Sequence, residues 1–159
     1  MYYMKKKKGE GSTRKSLPSL IKRLDKEFSL YIRMRDSRPY GFTAFKCISC
    51  GRIKPFDQAD CGHYYSRTKM STRFDEENCH AECRWCNRFS ADHLDYYREN
   101  LIKKIGPAKF ELLRLRSLST KKWSAFELEY LIKYYKQLNK QFNKANETET
   151  NTLAKGAQP

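Results

Sequence analysis

Four cysteines in two C-x-x-C pairs, Cys47 and Cys50 in CISC and Cys83 and Cys86 in CRWC, are the residues of this chain best spaced to do chemistry. That spacing lets two thiolates from one tight turn hold the same tetrahedral Zn2+ ion, and two pairs supply a full ligand set. Four thiolates leave no open coordination position, so such a site is structural and not catalytic. It would pin the base of the long excursion between the pairs. That excursion contains His63 and Asn78, and a further Asn follows Cys86 directly, in NCHAECRWCN. A neutral imidazole can take a proton from water near pH 7. Taken alone, His63 reads more simply as a surface or phosphate-contacting group, and Asn78 as a helix cap. Combined with the zinc pairs they carry more weight. Cys61 and Cys79 are left over; they could replace a ligand, bind a second ion, or be small buried side chains, the last being the simplest. His80 is also open, as a substitute zinc ligand or a second imidazole.

This layout resembles the HNH nucleases, whose site is a ββα-metal hairpin and helix braced by a structural zinc. The resemblance implies an α+β fold: a small zinc-braced ββα-metal core, HNH- or treble-clef-like, flanked by an N-terminal helix and C-terminal α-helices. It implies phosphodiester hydrolysis, with His63 as general base and the Asn78 carbonyl holding the imidazole in its productive tautomer. One divalent cation, Mg2+ or Mn2+, would stabilise phosphate charge and the leaving oxygen. Asp92 and His93, just past the second zinc pair on the expected helix, are the candidate cation ligands, with Asp92 favoured by position. The chain departs from the commoner pattern at Gly62, where many such enzymes carry a metal-binding Asp before the His. The nearest upstream carboxylate is Asp60, so the cation would be held by Asp92 or His93 with Asp60, or largely by substrate phosphate and water.

The elements that must position these groups follow from charge and periodicity. The chain has 159 residues, 33 Lys and Arg against 18 Asp and Glu, a net charge of +15 and a pI near 9.6. Binding to a phosphate backbone needs that excess and a metabolic enzyme rarely does. Residues 1–16 read as a disordered basic arm. Over 17–38, Leu17, Leu20, Ile21, Leu24, Phe28 and Ile32 recur at helical spacing, with Pro18 in the first turn. The opposite face carries Lys22, Arg23, Lys26, Arg33 and Arg35, and residues 1–38 hold +8 of the net charge. DNA contact is expected there and at Arg67, Lys69 and Arg73, in a loop of the core.

Residues 39–106 form the zinc-braced core, with a hairpin over Phe56 to Tyr65 and a helix beginning around Cys83 to Trp85. Leu94, Tyr97, Leu101 and Ile105 mark a helix stopped at Gly106-Pro107. C-terminal helices fill 107–145, first through Phe110, Leu113 and Leu118. Ser124 and Glu127 then form a capping box for a longer helix through Phe126, Leu131, Tyr134, Leu138 and Phe142. Tyr130, Tyr134 and Tyr135 could stack on bases or line a dimer seam, and read more simply as core. Residues 146–159 read as a disordered tail. There is no transmembrane run and no secretory h-region, so the thiolates are expected reduced in a cytoplasm.

Beyond HNH proteins in general, the chain resembles the phage NinG/Rap recombination-nuclease family. FSLYIRMRDS, CISCGR, CGHYYSR, RFDEENCHAECRWCN and YRENLIKKIG carry the resemblance, over about residues 28–106. It implies a phage- or prophage-encoded endonuclease working in a bacterial host cell. Its substrates would be branched recombination intermediates such as Holliday junctions and D-loops, cut with a divalent metal by what would be a homodimer with the C-terminal helices as its seam. A non-catalytic zinc-finger nucleic-acid-binding protein is the alternative, with the same charge and zinc but no need of the His. A structural adaptor using the aromatic C-terminal helices is a third.

Overall fold

The computed structural model describes residues 16–156; the basic arm expected over 1–16 lies almost wholly outside them. The first helix, α1, spans Leu17–Ser37 with Pro18 in its first turn, where a missing N–H costs nothing. Leu20, Leu24, Phe28 and Ile32 are buried along one stripe, as their spacing predicts. Two short strands follow, β1 (Ala44–Lys46) and β2 (Ile53–Pro55), paired antiparallel. The turn joining them carries Cys47 and Cys50. Gly51 closes it at φ 69°, a left-handed conformation that a side chain would strain, and donates its N–H to Cys47 O at 2.9 Å.

The next pair is β3 (Ala59–His63) with β4 (Cys79–Cys83), antiparallel, with Cys61 opposite Ala81 and His63 opposite Cys79. The hairpin expected within Phe56 to Tyr65 does not form. Residues 56–58 make a 3-10 turn, and β3 finds its partner beyond a loop over 64–78. The reason is burial: Cys61 and Cys79 project from neighbouring strands into the same apolar cluster, which only this register satisfies. Directly after β4 come α2 (Arg84–Phe89) and α3 (His93–Ile105), then α4 (Pro107–Leu118) and α5 (Ala125–Gly156).

Three apolar clusters surround the β3–β4 pair. The largest joins α1 to α5 through Leu24, Phe28, Leu128, Ile132 and Tyr135, with Cys61, Phe74 and Cys79 closing it. A small one gathers Phe45, Ala59 and Ala81 around Cys47, Cys83 and Cys86. The third packs Ile48 against Tyr97, Leu101, Phe110 and Leu113. The Ser124–Glu127 capping box forms as its spacing implies: Ser124 N–H donates to Glu127 Oε2 at 2.8 Å and Glu127 N–H to Ser124 Oγ at 3.2 Å. From that start α5 continues to Gly156, through most of what composition reads as a disordered tail. No Pro or Gly interrupts it earlier, and a nucleated helix adds a hydrogen bond per residue. Of the three tyrosines read as core, only Tyr135 is buried; Tyr130 and Tyr134 stack on each other at 6.5 Å on the outer face.

α1 is tied to β4 by a buried polar brace. Arg35 donates to Glu76 O at 3.0 Å and to Cys79 O at 2.8 Å, and Asp36 Oδ2 accepts from Ala81 N–H at 2.8 Å. His80 Nδ1 lies 2.8 Å from Arg35 Nη2, which makes it an acceptor and places the ring proton on Nε2, buried without a partner. Burial pushes the His80 pKa down from 6.5 to about 4, against the pull of Asp36. The unfolded chain therefore binds a proton that the folded one refuses between those values. Stability is full above pH 6.5 and is lost as pH falls toward 4, by roughly 3 kcal/mol. Thermal melts of zinc-loaded protein at pH 7 and pH 4.5 should show this loss, and His80→Gln should remove most of it. An equal loss in the variant would assign the acid sensitivity elsewhere.

Candidate metal centre and adjoining histidine cavity

The β1–β2 turn and the β4–α2 junction bring Cys47, Cys50, Cys83 and Cys86 together, with ligand atoms all within 4.8 Å of one another. Cys50 is exposed and the other three are buried. Burial pushes the Cys47 thiol up to about 12, although backbone N–H groups of Cys83, Cys50 and Ser49 favour its thiolate. Cys83 N–H lies 3.3 Å from Cys47 Sγ, a donor suited to a charged sulfur. Such a set is costly as thiols or as bare thiolates and well matched to a soft cation that displaces the protons. The residues fit a metal such as zinc in a closed, structural site.

Cys61, His63 and Cys79 form a second set with ligand atoms within 4.8 Å. Both cysteines belong to the α1–α5 core, and burial raises the Cys79 thiol far above its ordinary value. His63, at the end of β3, also opens onto a cavity of about 460 Å³ lined by Ser29, Asp60, Cys61, Ser66, Arg67, Asn87 and Arg88. Its Nδ1 lies 3.1 Å from Cys61 O and its Nε2 3.1 Å from Arg73 O. Burial, followed by the charge of Arg67, holds the His63 pKa below its ordinary value, while the two carbonyls pull the other way. A neutral ring donates to one carbonyl only; the other nitrogen must part from its carbonyl to accept a proton.

Asp60 faces the same cavity. Burial opposes its charge, but hydrogen bonds from Arg88 and Asn87 outweigh that and hold its pKa below the carboxylate range. Asn87 Nδ2 donates to Asp60 Oδ2 at 3.0 Å, and Arg88 engages both carboxylate oxygens at 2.7 and 2.9 Å. β3, α2 and the loop over 64–78 thus set an imidazole, a carboxylate, a carboxamide and two guanidinium groups around one opening. The sequence marks Asn87 by its place straight after CRWC but gives it no role, and it carries no signal for Arg88.

Several expected site residues lie elsewhere. Asn78 is fully buried and does not touch the imidazole. Its Oδ1 accepts from Tyr65 N–H at 2.7 Å, and its Nδ2 donates to Tyr65 O and Thr72 O at 3.0 Å each. It locks the loop over 64–78, because a buried carboxamide must satisfy its groups and the backbone of Tyr65 and Thr72 supplies the partners. The carbonyls that can orient the ring are those of Cys61 and Arg73. Asp92 and His93 are also displaced from the cavity, since α2 ends at Phe89 and α3 starts afresh at His93. Asp92 is exposed at the N-cap of α3 and makes no capping bond. His93 Nδ1 lies 2.8 Å from Glu82 Oε1, a fully buried carboxylate that also accepts from Ser49 Oγ. Glu82 explains Gly62 as well: a Cβ at Gly62 would come within 2.8 Å of Glu82 Cβ, so the Asp of the commoner pattern has no room.

The basic candidates divide in three. Lys22, Arg23, Lys26, Arg67 and Lys69 are exposed. Arg33 is partly buried, lying 5.7 Å from the Phe56 ring and donating to Ser29 O. Arg35 and Arg73 serve internal contacts instead. Arg35 pairs with Asp36 at 2.9 Å, and Arg73 grips Asp25 through two bonds of 3.0 and 2.6 Å, because buried or half-buried guanidinium groups need a matching carboxylate.

Among the described residues no helix is long and apolar enough to cross a membrane. No solved structure matches the chain. A protein-family model described as NinG, Bacteriophage Lambda NinG protein, matches residues 3–147. The chain is 32% identical to protein ninG of Salmonella phage P22 over 115 residues, 69% of this chain and 53% of that one. It is 37% identical over 87 residues to protein ninG of Escherichia phage 933W, covering 54% of this chain and 40% of that one. For protein ninG of Escherichia phage lambda the values are 36% over 87 residues, 54% and 39%. The chain spans about half the length, or less, of these curated relatives. With the family match extending over the basic helix, both cysteine pairs, the His63 cavity and most of the C-terminal helices, the chain belongs to the NinG family.

Proposed function

We propose that this chain is a metal-dependent DNA endonuclease of the ββα-metal type that cuts branched recombination intermediates such as four-way junctions and D-loops. The observation that carries the reading is the cavity in which β3 and α2 gather His63, Asp60 and Asn87 beneath Arg67 and Arg88. His63, kept neutral by burial, takes the proton of the attacking water. Cys61 O orients the ring through Nδ1. Asp60 and the Asn87 carboxamide oxygen are the groups that would hold Mg2+ or Mn2+, which when bound supplies charge stabilisation at the phosphate and the leaving oxygen. Arg88 and Arg67 meet phosphate oxygens. The cysteine cluster, loaded with zinc, keeps β4 and α2 in place.

The test is incubation of zinc-loaded protein with a labelled four-way junction and a matching linear duplex, with and without Mg2+ or Mn2+. Junction cutting that needs the added cation is expected. Asn87→Ala should raise the cation concentration needed for half-maximal cutting by about 10- to 100-fold, while zinc content stays unchanged. One observation favours the non-catalytic zinc-finger reading: both ring nitrogens of His63 face carbonyl oxygens at 3.1 Å. Tight junction binding without cutting under either cation would decide for that reading. Steep salt dependence would fit both and discriminates nothing.

A further inference from the structure

Trp85 and Phe89 are 69% and 70% exposed. They lie one turn apart on α2 with ring centroids 5.7 Å apart, so a six-residue helix presents two large aromatic faces to water. Rings of that size normally repay burial, and a paired, uncovered set marks a contact surface. The same helix carries Cys86 of the metal cluster, and Asn87 and Arg88 of the His63 cavity, so the rings are anchored two residues from the proposed reacting site. Trp85 lines a cavity of about 500 Å³ with Arg52, Lys54, His93 and Tyr96; Cys50, Cys83 and Cys86 of the metal centre form part of its wall, and no carboxylate lines it. Among the described residues, neither Arg52 nor Lys54 forms an ion pair. Tyr96, 58% exposed, adds a third ring. Exposed π faces beside two cations without ion-pair partners suit an unpaired nucleotide better than an apolar protein surface.

We propose that Trp85 and Phe89 form a stacking wedge for unpaired bases, with Arg52 and Lys54 meeting the phosphates of the same strand. A continuous duplex keeps its base faces covered, whereas gaps, forks and branch points expose them. The wedge would therefore supply discrimination in favour of branched DNA that phosphate contacts alone cannot. It rests on the nuclease reading for its substrate class but not for its measurement, since binding is read without any catalytic cation.

The experiment uses zinc-loaded full chain without added Mg2+ or Mn2+ and fluorescein-labelled DNAs: a continuous duplex, the same duplex with a short single-stranded gap, and a four-way junction. Trp85→Ala and Phe89→Ala should each weaken binding to gapped and junction DNA by about tenfold and leave the continuous duplex unchanged. Lys54→Ala should weaken all three. A 2-aminopurine in the gap should be quenched by the parent protein and not by Trp85→Ala. Both rings are exposed, so zinc content and melting temperature should not change in these variants. Equal loss on all three DNAs in Trp85→Ala and Phe89→Ala, or no loss, would overturn the wedge, and a surface kept for a protein partner would give the second pattern. Gap-selective loss in a protein that never cuts would defeat the nuclease reading and leave the wedge standing. Cutting by a protein whose Trp85→Ala variant binds every DNA normally would do the reverse.

Discussion

Replacing His63 with alanine is expected to slow junction cutting by about 100- to 10,000-fold, the usual contribution of a positioned general base, with junction affinity preserved. The exposed cations available for phosphate, Lys22, Arg23, Lys26, Arg67 and Lys69, remain in the variant. The sign of the pH dependence follows from the same geometry. Burial and Arg67 lower the His63 pKa, so the neutral, proton-accepting ring persists below the pH at which an ordinary histidine becomes charged. The rate should stay level through neutrality and fall only in acid. Gel cleavage assays across pH and anisotropy binding without divalent cation read the two halves separately. Loss of affinity in step with cutting would make His63 a structural residue of the β3–β4 pair.

A larger effect on the fold itself is expected from Cys83→Ser. Cys83 sits where β4 passes into α2 and is 3% exposed; its own N–H reaches Cys47 Sγ. The apolar cluster around the four sulfurs contains only Phe45, Ala59 and Ala81 besides cysteines, too little to hold two strand pairs and a helix together. A four-ligand zinc site contributes about 10–16 kcal/mol, comparable to the whole stability of a small domain. The variant should therefore lose its zinc and its cooperative melt together, by metal analysis and circular dichroism. Cys61→Ser is the contrast. It lies outside the four-cysteine set and should keep one zinc per chain while melting earlier through the α1–α5 core. Full zinc and an unchanged melt in Cys83→Ser would refute the four-cysteine centre.

The residues legible from the chain alone share a physical character: their partners are near in sequence or fixed by chemistry. The C-x-x-C pairs announce a tetrahedral thiolate set, because two residues between cysteines leave both sulfurs on one turn. Leu20, Leu24, Phe28 and Ile32 announce α1 through the helical period, and Ser124 with Glu127 announces the start of α5 through a local hydrogen-bond exchange. The excess of 33 basic over 18 acidic residues needs no fold to be read.

Tertiary structure decided everything that depends on which distant group a polar side chain meets. β3 pairs with β4 across the loop over 64–78 because both strands bury cysteines in the same core, and no local turn signal records that. Asn78 spends its carboxamide on Tyr65 and Thr72, leaving the imidazole to the carbonyls of Cys61 and Arg73. Asn87 and Arg88 take the places beside Asp60 that the sequence offered to Asp92 and His93, since α2 stops at Phe89 and the chain turns away. Arg35 and Arg73 resemble the exposed cations around them in sequence, yet both are drawn to carboxylates that packing brings within reach, Arg73 to Asp25 on α1. Spacing along the chain reports which side chains can share a turn or a metal; a desolvated polar group takes its partner from whatever packing brings within 3 Å, and that is settled only when the elements meet.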